Sequence, residues 1–388
     1  MYNFIYENAD EILRKAIDSN FSGFNTKFMV GEYRFIVLGE GTFGIVLKVL
    51  YNEEIFIAKI MKKEDDEPKK ITKLMKKIRS IKSPEIQKLI KKYITTIHDV
   101  YLKTHPQVII FEYLEGKDLN DYLQQEDELS DQDFYFLITK IIMAVSLLHN
   151  KLRISHRDLK PQNIFFDSET KKLKLIDFGF SCFLNDNSCY NRYQGTSNYI
   201  HPRMNNKKLN NLSGGSMRNV RTKKGPRNNK NSNNRIKSNR NNALARRFPK
   251  PRSQDIFSII IIILNIYTYI DTKTDNKEDI KLGNFLKHFF SPSLKPKSRI
   301  NKFRSRLEKK RLLFVNIRTL DESKITNPVI SALVKFIKNY WNMNENNFIV
   351  GRKDYSKEVM NELLDICISR LSKKRKKIFR KEQSLVIN

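Results

Sequence analysis

Three glycines, Gly39, Gly41 and Gly44, separate two runs of β-branched and aromatic residues near the start of the chain. Such runs predict β-strands. The glycines between them predict a tight hairpin whose backbone N–H groups can surround phosphate, because no Cβ atoms obstruct them. In a dinucleotide-binding βαβ unit the same spacing opens a helix. Here a strand follows, and the next strand carries Lys59, which can reach phosphates as a point charge.

The most specific motif is the run His-Arg-Asp-Leu-Lys-Pro-Gln-Asn at residues 156–163. Asp158 can accept the proton of a substrate hydroxyl, Lys160 can neutralise charge on a transferred phosphoryl group, and Asn163 can offer an oxygen to Mg²⁺. A short apolar strand then ends in Asp177, followed by Phe-Gly, and this carboxylate is the second predicted metal ligand. Together these motifs predict phosphoryl transfer from a nucleotide.

In this order and spacing the motifs resemble those of eukaryotic-type protein kinases, from about Tyr33 to at least Leu264. The resemblance implies an α+β, bilobal fold with a β-rich N-terminal lobe and a mainly helical C-terminal lobe. It also implies ATP and Mg²⁺ as cofactors and a protein as substrate. Lys160 and Thr196 stand in the forms seen in serine/threonine kinases, which implies transfer to Ser or Thr hydroxyls. The predicted catalytic residues are Lys59, Asp158, Lys160, Asn163 and Thr196.

The same resemblance implies which residues surround ATP. Phe111 is expected as the gatekeeper at the back of the site, and Glu112 to Leu114 as the hinge that pairs with adenine through its backbone. Asp118 is expected near the ribose and Phe165 beneath the adenine. The predicted metal ligands are Asn163 and Asp177. The predicted cofactor-binding set is Gly39, Gly41, Gly44, Val46, Ala58, Lys59, Glu85, Phe111, Glu112, Leu114, Asp118, Phe165 and Asp177.

The family requires a helix glutamate that pairs with Lys59, and the sequence offers several alignments. Counting back from the hinge selects Glu85 as the first candidate. The segment around Glu85 also resembles the one that normally follows this helix. On that alignment Leu74 occupies the expected position and no glutamate is available. Glu67 is the third candidate.

Two further positions concern the second half of the expected fold. Arg203 stands where the family carries a glutamate that forms a buried ion pair, so a rebuilt local packing is expected. Asp255 begins an apolar run, residues 256–270, that resembles the central buried helix of the family and is expected to anchor His156 and Phe178. A membrane span needs about 18 or more apolar residues. A buried helix is therefore expected, with no membrane partner.

The chain is strongly basic, with 73 Lys and Arg against 42 Asp and Glu and a formal net charge of +31. This charge favours polyanionic partners. Residues 205–247 contain thirteen Asn, thirteen Lys and Arg and no acidic residue, which predicts a disordered basic insertion. One interpretation is a contact with nucleic acid or another polyanion. The other is a tolerated, solvated loop, because no aromatic side chain is present to stack on bases.

The three cysteines, Cys182, Cys189 and Cys367, show no paired spacing, which favours a reducing, cytoplasmic location. The rival function is a pseudokinase-like scaffold that binds nucleic acid or an acidic partner through its basic surface. The sequence leaves the oligomeric state open. The predicted segments are a lead-in (1–30), an N-lobe (31–113), the first part of a C-lobe (114–204), the insertion (205–247), the rest of the C-lobe (248–372) and a basic tail (373–388).

Overall fold

The computed structural model describes two compact units. The first unit comprises Met1–Asp121 and Gln162–Ser181, and the second comprises Tyr122–Pro161 and Cys182–Asn388. The predicted insertion and Arg203 lie outside the described residues. The described residues are 1–20, 25–103, 106–125, 128–186, 195–196, 198–200, 251–270, 274–291, 299–344, 347–350 and 356–387.

Strands concentrate in the first unit and helices in the second. The strands are β1 (Lys27–Val30), β2 (Tyr33–Glu40), β3 (Gly44–Tyr51), β4 (Glu54–Met61), β5 (Ile97–Tyr101), β6 (Val108–Glu112), β7 (Lys117–Asp118), β8 (Ile154–Ser155), β9 (Ile164–Asp167), β10 (Lys172–Leu175), β11 (Cys182–Phe183), β12 (Trp341–Asn344) and β13 (Asn347–Val350). The α-helices are α1 (Tyr2–Glu7), α2 (Ala9–Asn20), α3 (Glu67–Arg79), α4 (Pro84–Tyr93), α5 (Leu119–Gln125), α6 (Asp131–Leu147), α7 (Pro251–Tyr267), α8 (Lys277–Phe290), α9 (Arg299–Arg318), α10 (Pro328–Tyr340), α11 (Ser356–Arg370) and α12 (Lys373–Ile387).

The first unit is organised around a six-stranded antiparallel sheet in the order β1-β2-β3-β4-β6-β5. Successive side chains of a strand point to opposite faces, and the burial of β2 alternates accordingly. Phe35 and Leu47 lie on the buried face. Leu38 and Val46 lie on the other face, where they line a cavity. A smaller antiparallel sheet, β10-β9-β7, completes this unit.

Helices α1 and α2 cover the buried face of the large sheet. Ile5 and Ile12 are fully buried in its core, and the Phe4 ring stacks on Tyr33 with centroids 4.3 Å apart. Strand β1 then pairs with β2. The predicted separate lead-in over residues 1–30 is therefore corrected. Its aromatic and aliphatic side chains belong to the core of the first unit.

The core of the second unit is formed by α6 and α7. Every residue of α6 from Phe134 to Leu147 is buried, and Ser130 caps the helix by accepting a hydrogen bond from the Asp133 backbone N–H. The stretch Asp131–Leu152 is long and apolar enough to cross a membrane, but 89% of its most apolar window is buried inside the protein. The expected buried helix after Asp255 is α7, whose residues Ile259–Leu264 are almost inaccessible to solvent.

The basic C-terminal segment also packs on this core. Helix α12 buries Phe379 and Val386, and the Phe379 ring meets Phe136 of α6 edge-on at 5.9 Å. The backbone carbonyl of Val386 accepts a hydrogen bond from Asn150. The prediction of a tail over residues 373–388 is corrected, because apolar side chains recur between the lysines and form one buried helical face.

Candidate active site

The first unit contains a cavity of about 430 Å³, a size typical of small-molecule sites. Leu38, Val46 and Ile57 contribute an apolar wall, and Phe165 contributes another apolar side chain. The remaining lining residues are Lys59, Glu67, Thr95, Phe111, Glu112, Tyr113, Leu114, Gly116, Asn163, Ile176 and Asp177. The cavity is therefore lined in part by apolar side chains and in part by charged and amide groups.

Seven of the thirteen predicted ATP-binding residues line this cavity, and six do not. Gly39, Gly41 and Gly44 lie at the β2–β3 turn, where the Gly41 N–H bonds the Gly44 carbonyl at 2.9 Å. Asp118 ends β7, directly before α5, and its carboxylate accepts the Asp121 backbone N–H at 2.9 Å. The contacts of these four residues with phosphate and ribose remain predictions.

The prediction that Ala58 belongs to the cavity wall is wrong. Ala58 is fully buried on the opposite face, in the core beneath α1 and α2. Ile57 takes the predicted place. The reason is the two-residue period of a strand, which puts Ile57 and Lys59 on one face and Ala58 on the other.

The ammonium of Lys59 pairs with Glu67, the first residue of α3, at 2.5 Å. The prediction of Glu85 as this partner is wrong. Glu85 lies in the first turn of α4, where its exposed carboxylate accepts a hydrogen bond from Ser83 at 2.8 Å. The chain forms two helices between β4 and β5, so counting back from the hinge selects the wrong one.

Asp177 supplies a second carboxylate to the same ammonium, 3.8 Å from the Lys59 nitrogen. Burial on its own lowers the pKa of Lys59, but the charges of Asp177 and Glu67 outweigh it, so that the pKa is raised. Burial raises the pKa of Glu67, and the nearby Asp177 adds to this effect, while Lys59 opposes it. Lys59, whose side chain is 18% exposed, therefore stays charged at neutral pH.

Asn163 and Asp177 meet the chemistry required of metal ligands, because both line the cavity and both carry side-chain oxygen atoms. The Asp177 side chain is 44% exposed, which leaves it accessible to a ligand. Among the described residues, no three His, Cys, Asp or Glu side chains form a metal-binding group. Mg²⁺ usually binds through one or two carboxylates together with substrate phosphates and water. The donor set thus fits a metal ion that arrives with a nucleotide.

A second constellation lies in the second unit, around Asp158. The backbone N–H and the hydroxyl of Thr196 both donate to Oδ1 of Asp158, at 2.7 and 2.8 Å. The Lys160 ammonium lies 3.2 Å from Oδ2 of Asp158 and donates to the Thr196 hydroxyl at 3.2 Å. Three of the predicted catalytic residues thus contact one another directly.

The loop that carries Asp158 is held by Asp255. The fully buried Asp255 carboxylate accepts the backbone N–H groups of His156 and Arg157, both at 2.8 Å. It also contacts His149 Nε2 at 2.8 Å and accepts the Ser155 hydroxyl at 2.9 Å. The expected anchoring role of Asp255 toward His156 is therefore present in the structure. Three further partners, His149, Ser155 and Arg157, go beyond the predicted contact with His156.

Residues 34–216 match the family model of the protein kinase domain. The chain carries a protein kinase domain. The relatives of this domain are protein kinases, and one of them is named a serine/threonine-protein kinase. The predicted α+β fold, with a β-rich N-terminal region and a mainly helical C-terminal region, is confirmed. Protein kinases use ATP and a divalent metal ion.

Three relatives illustrate the similarity. The chain is 32% identical over 189 residues to the carbon catabolite-derepressing protein kinase of Saccharomyces cerevisiae, covering 46% of this chain and 28% of that one. It is 34% identical over 183 residues to the serine/threonine-protein kinase unc-51 of Caenorhabditis elegans, covering 43% and 20%. It is 31% identical over 170 residues to death-associated protein kinase 2 of Mus musculus, covering 42% and 45%. The chain spans less than half the length of each of these relatives.

Two of the site residues that were not in the predicted set, Ile57 and Glu67, carry a signal in the sequence. Ile57 stands two residues before Lys59, a spacing that places both on one face of a strand. Pro68 marks the start of a helix and so puts Glu67 in its first turn. No local pattern distinguishes His149 as a partner of Asp255, because 106 residues separate them in the chain.

Proposed function

We propose that this protein is an ATP-dependent kinase that transfers the γ-phosphoryl group to Ser and Thr hydroxyls of protein substrates. The observation that supports this most is the cluster of Lys59, Glu67 and Asp177 at the cavity of the first unit. An uncompensated buried cation would be costly, whereas a lysine held between two carboxylates stays charged and positioned for phosphate.

In this proposal the cavity holds ATP. The hinge segment Glu112–Leu114 receives the adenine, with Val46 and Phe165 on the apolar walls. The carboxylate of Glu112 forms an ion pair with the ammonium of Lys174 at 2.5 Å, which holds the side chain of this hinge residue in place. Lys59 binds the α- and β-phosphates, and Asn163 and Asp177 would hold Mg²⁺. When bound, Mg²⁺ would neutralise the negative charge that develops on the phosphates.

The constellation of the second unit handles the substrate hydroxyl. Asp158 orients that hydroxyl and accepts its proton, with Thr196 keeping the carboxylate in one rotamer. The Lys160 ammonium, next to Asp158 and Thr196, stabilises negative charge on the transferred phosphoryl group. The chemistry then rests on positioning and charge stabilisation.

The test is transfer of labelled phosphate from ATP with Mg²⁺ to casein, to a basic protein and to the chain itself. Wild type is compared with Asp158→Asn, and both are checked by thermal melting and by binding of a fluorescent ATP analogue. We expect transfer to Ser and Thr that falls at least ~10²-fold in the variant, the usual contribution of a positioned acid or base. A folded wild type that binds ATP but transfers no phosphate would contradict the proposal and support the scaffold alternative.

A second candidate function is polyanion binding through residues 205–247. Its support is composition alone, thirteen basic residues without an acidic one. Such contacts release counterions, so affinity for duplex DNA should fall steeply with salt. A chain lacking residues 205–247 is the control. The candidate is rejected if the full chain shows no DNA binding at low salt, or if the deletion leaves the salt dependence unchanged.

A further inference from the structure

Helix α3 contacts the turn that carries Asp177 at two points. Glu67 acts through Lys59, which lies between Glu67 and Asp177. Lys70 acts directly, because its ammonium donates a hydrogen bond to the backbone carbonyl of Gly179 at 2.9 Å. Glu67 and Lys70 are three residues apart, so both lie on the same helix face.

The turn fits tightly against this face of α3. A Cβ atom on Gly179 would lie 3.0 Å from the Glu67 carboxylate carbon and 3.2 Å from Oδ1 of Asp177, so a larger residue would force the two apart. The turn is also internally bonded, with the Gly179 N–H donating to Asp177 at 3.3 Å and the Ser181 N–H donating to the Phe178 carbonyl at 3.0 Å.

Asp177 has a φ of +59°, in the left-handed region that residues with a Cβ rarely adopt. Strained backbone of this kind persists only where the surroundings hold it. Lys70 is suited to this task because a hydrogen bond from a charged donor is stronger than one between neutral groups. It acts on the carbonyl two residues beyond Asp177, within the same turn.

We propose that Lys70 is a positioning residue for phosphoryl transfer. By holding the Gly179 carbonyl, it keeps the Asp177 carboxylate at Lys59 and the cavity, and it couples the position of α3 to that of the metal-binding turn. Displacement of α3 then displaces Asp177 as well. The inference rests on the proposed kinase function, because Asp177 matters here as the ligand of the metal that accompanies ATP.

The experiment compares wild type with Lys70→Met, which keeps the length of the side chain and removes its donor, and with Lys70→Arg, which keeps a charged donor. Lys73→Met is the matched control, since Lys73 is exposed one turn later on the same helix. Two quantities are measured: backbone hydrogen exchange over residues 176–181, and kcat and KM for ATP at saturating Mg²⁺. Melting temperatures establish that each variant is folded.

We expect faster exchange over residues 176–181 in Lys70→Met, with kcat/KM about 10-fold lower and partial rescue in Lys70→Arg. Lys73→Met should match wild type. Hydrogen exchange can be measured in an inactive protein. An inactive wild type would therefore reject the kinase function, and the exchange rates would still test the coupling of Lys70 to the turn. If the backbone of residues 176–181 exchanges in Lys70→Met at the wild-type rate, the inference is overturned. Faster exchange with unchanged kcat/KM in an active enzyme overturns it as well.

Discussion

The Nε2 atom of His149 lies 2.8 Å from the carboxylate of Asp255, in the interior of the second unit. The same carboxylate accepts bonds from Ser155 and from two backbone N–H groups of the loop before Asp158. A carboxylate can accept four such bonds, whereas an amide has one acceptor oxygen and two donors of its own. We therefore expect the loop that carries Asp158 to depend on an ionised residue at position 255.

We expect Asp255→Asn to lower the free energy of unfolding, because each buried donor left without an acceptor costs about 1–3 kcal/mol. Phosphate transfer should fall with it, since the loop that carries Asp158 loses its anchor. Urea unfolding measures the first effect. Asp275→Asn, the same substitution at an exposed position, should leave unfolding unchanged. Equal unfolding midpoints for the two variants would show that Asp255 does not hold the loop.

The same carboxylate predicts a pH dependence. Burial alone raises the pKa of Asp255, but the hydrogen bond and charge of His149, together with His156 and the Arg157 N–H, outweigh it, so that the pKa lies below its usual value. A carboxylate with a lowered pKa stabilises the fold above the pKa of the unfolded chain, and this contribution disappears as the pH falls through the folded-state pKa. The stability difference between wild type and Asp255→Asn should therefore shrink below about pH 4, as followed by urea unfolding from pH 7 to pH 3. A difference that grows on acidification would contradict this assignment.

Gly195 makes the approach of Thr196 to Asp158 possible. Its φ is +119°, and a Cβ atom would lie 2.7 Å from the Arg157 carbonyl oxygen. Gly195→Ala should displace Thr196 and reduce phosphate transfer by up to ~10²-fold, as expected when a catalytic group moves by about 1 Å. Gly283→Ala is the control, because Gly283 lies in α8 with no atom near its Cβ position. It should retain activity and gain about 0.4–1 kcal/mol of stability. Full activity in Gly195→Ala would show that Thr196 is not held through this glycine.

The N-terminal helices are predicted to contribute to the stability of the first unit. Ile12→Ala removes a fully buried side chain from α2 and should cost about 2–5 kcal/mol. Ile17→Ala, on the same helix but 37% exposed, should change stability by less than about 0.5 kcal/mol. Chemical denaturation of both variants measures the difference. Similar midpoints would mean that α2 is not integral to the core.

Motifs with fixed local spacing located Lys59, Asp158, Asn163 and Asp177 from the sequence alone, because each motif is a turn or a short strand. The errors arose where tertiary packing decides. The prediction of Ala58 instead of Ile57 is an error of one residue, and neighbouring residues of a strand lie on opposite faces of the sheet. Counting back from the hinge reaches Glu85 on α4, the helix next to β5, whereas the partner of Lys59 lies on the preceding helix α3. Contacts such as Lys70 with Gly179, 109 residues apart, have no local signal.

In the proposed kinase, Lys59 and its partner on α3, Glu67, form the core of the phosphate-binding site. Glu67→Gln keeps the shape of the side chain and removes its charge, and Glu85→Gln makes the same change on the next helix. The measurement is kcat/KM for ATP in both variants beside wild type, with melting temperatures as the check on folding. We expect a loss of about 10- to 10²-fold in Glu67→Gln and wild-type activity in Glu85→Gln. Wild-type activity in Glu67→Gln, or a loss confined to Glu85→Gln, would contradict the account.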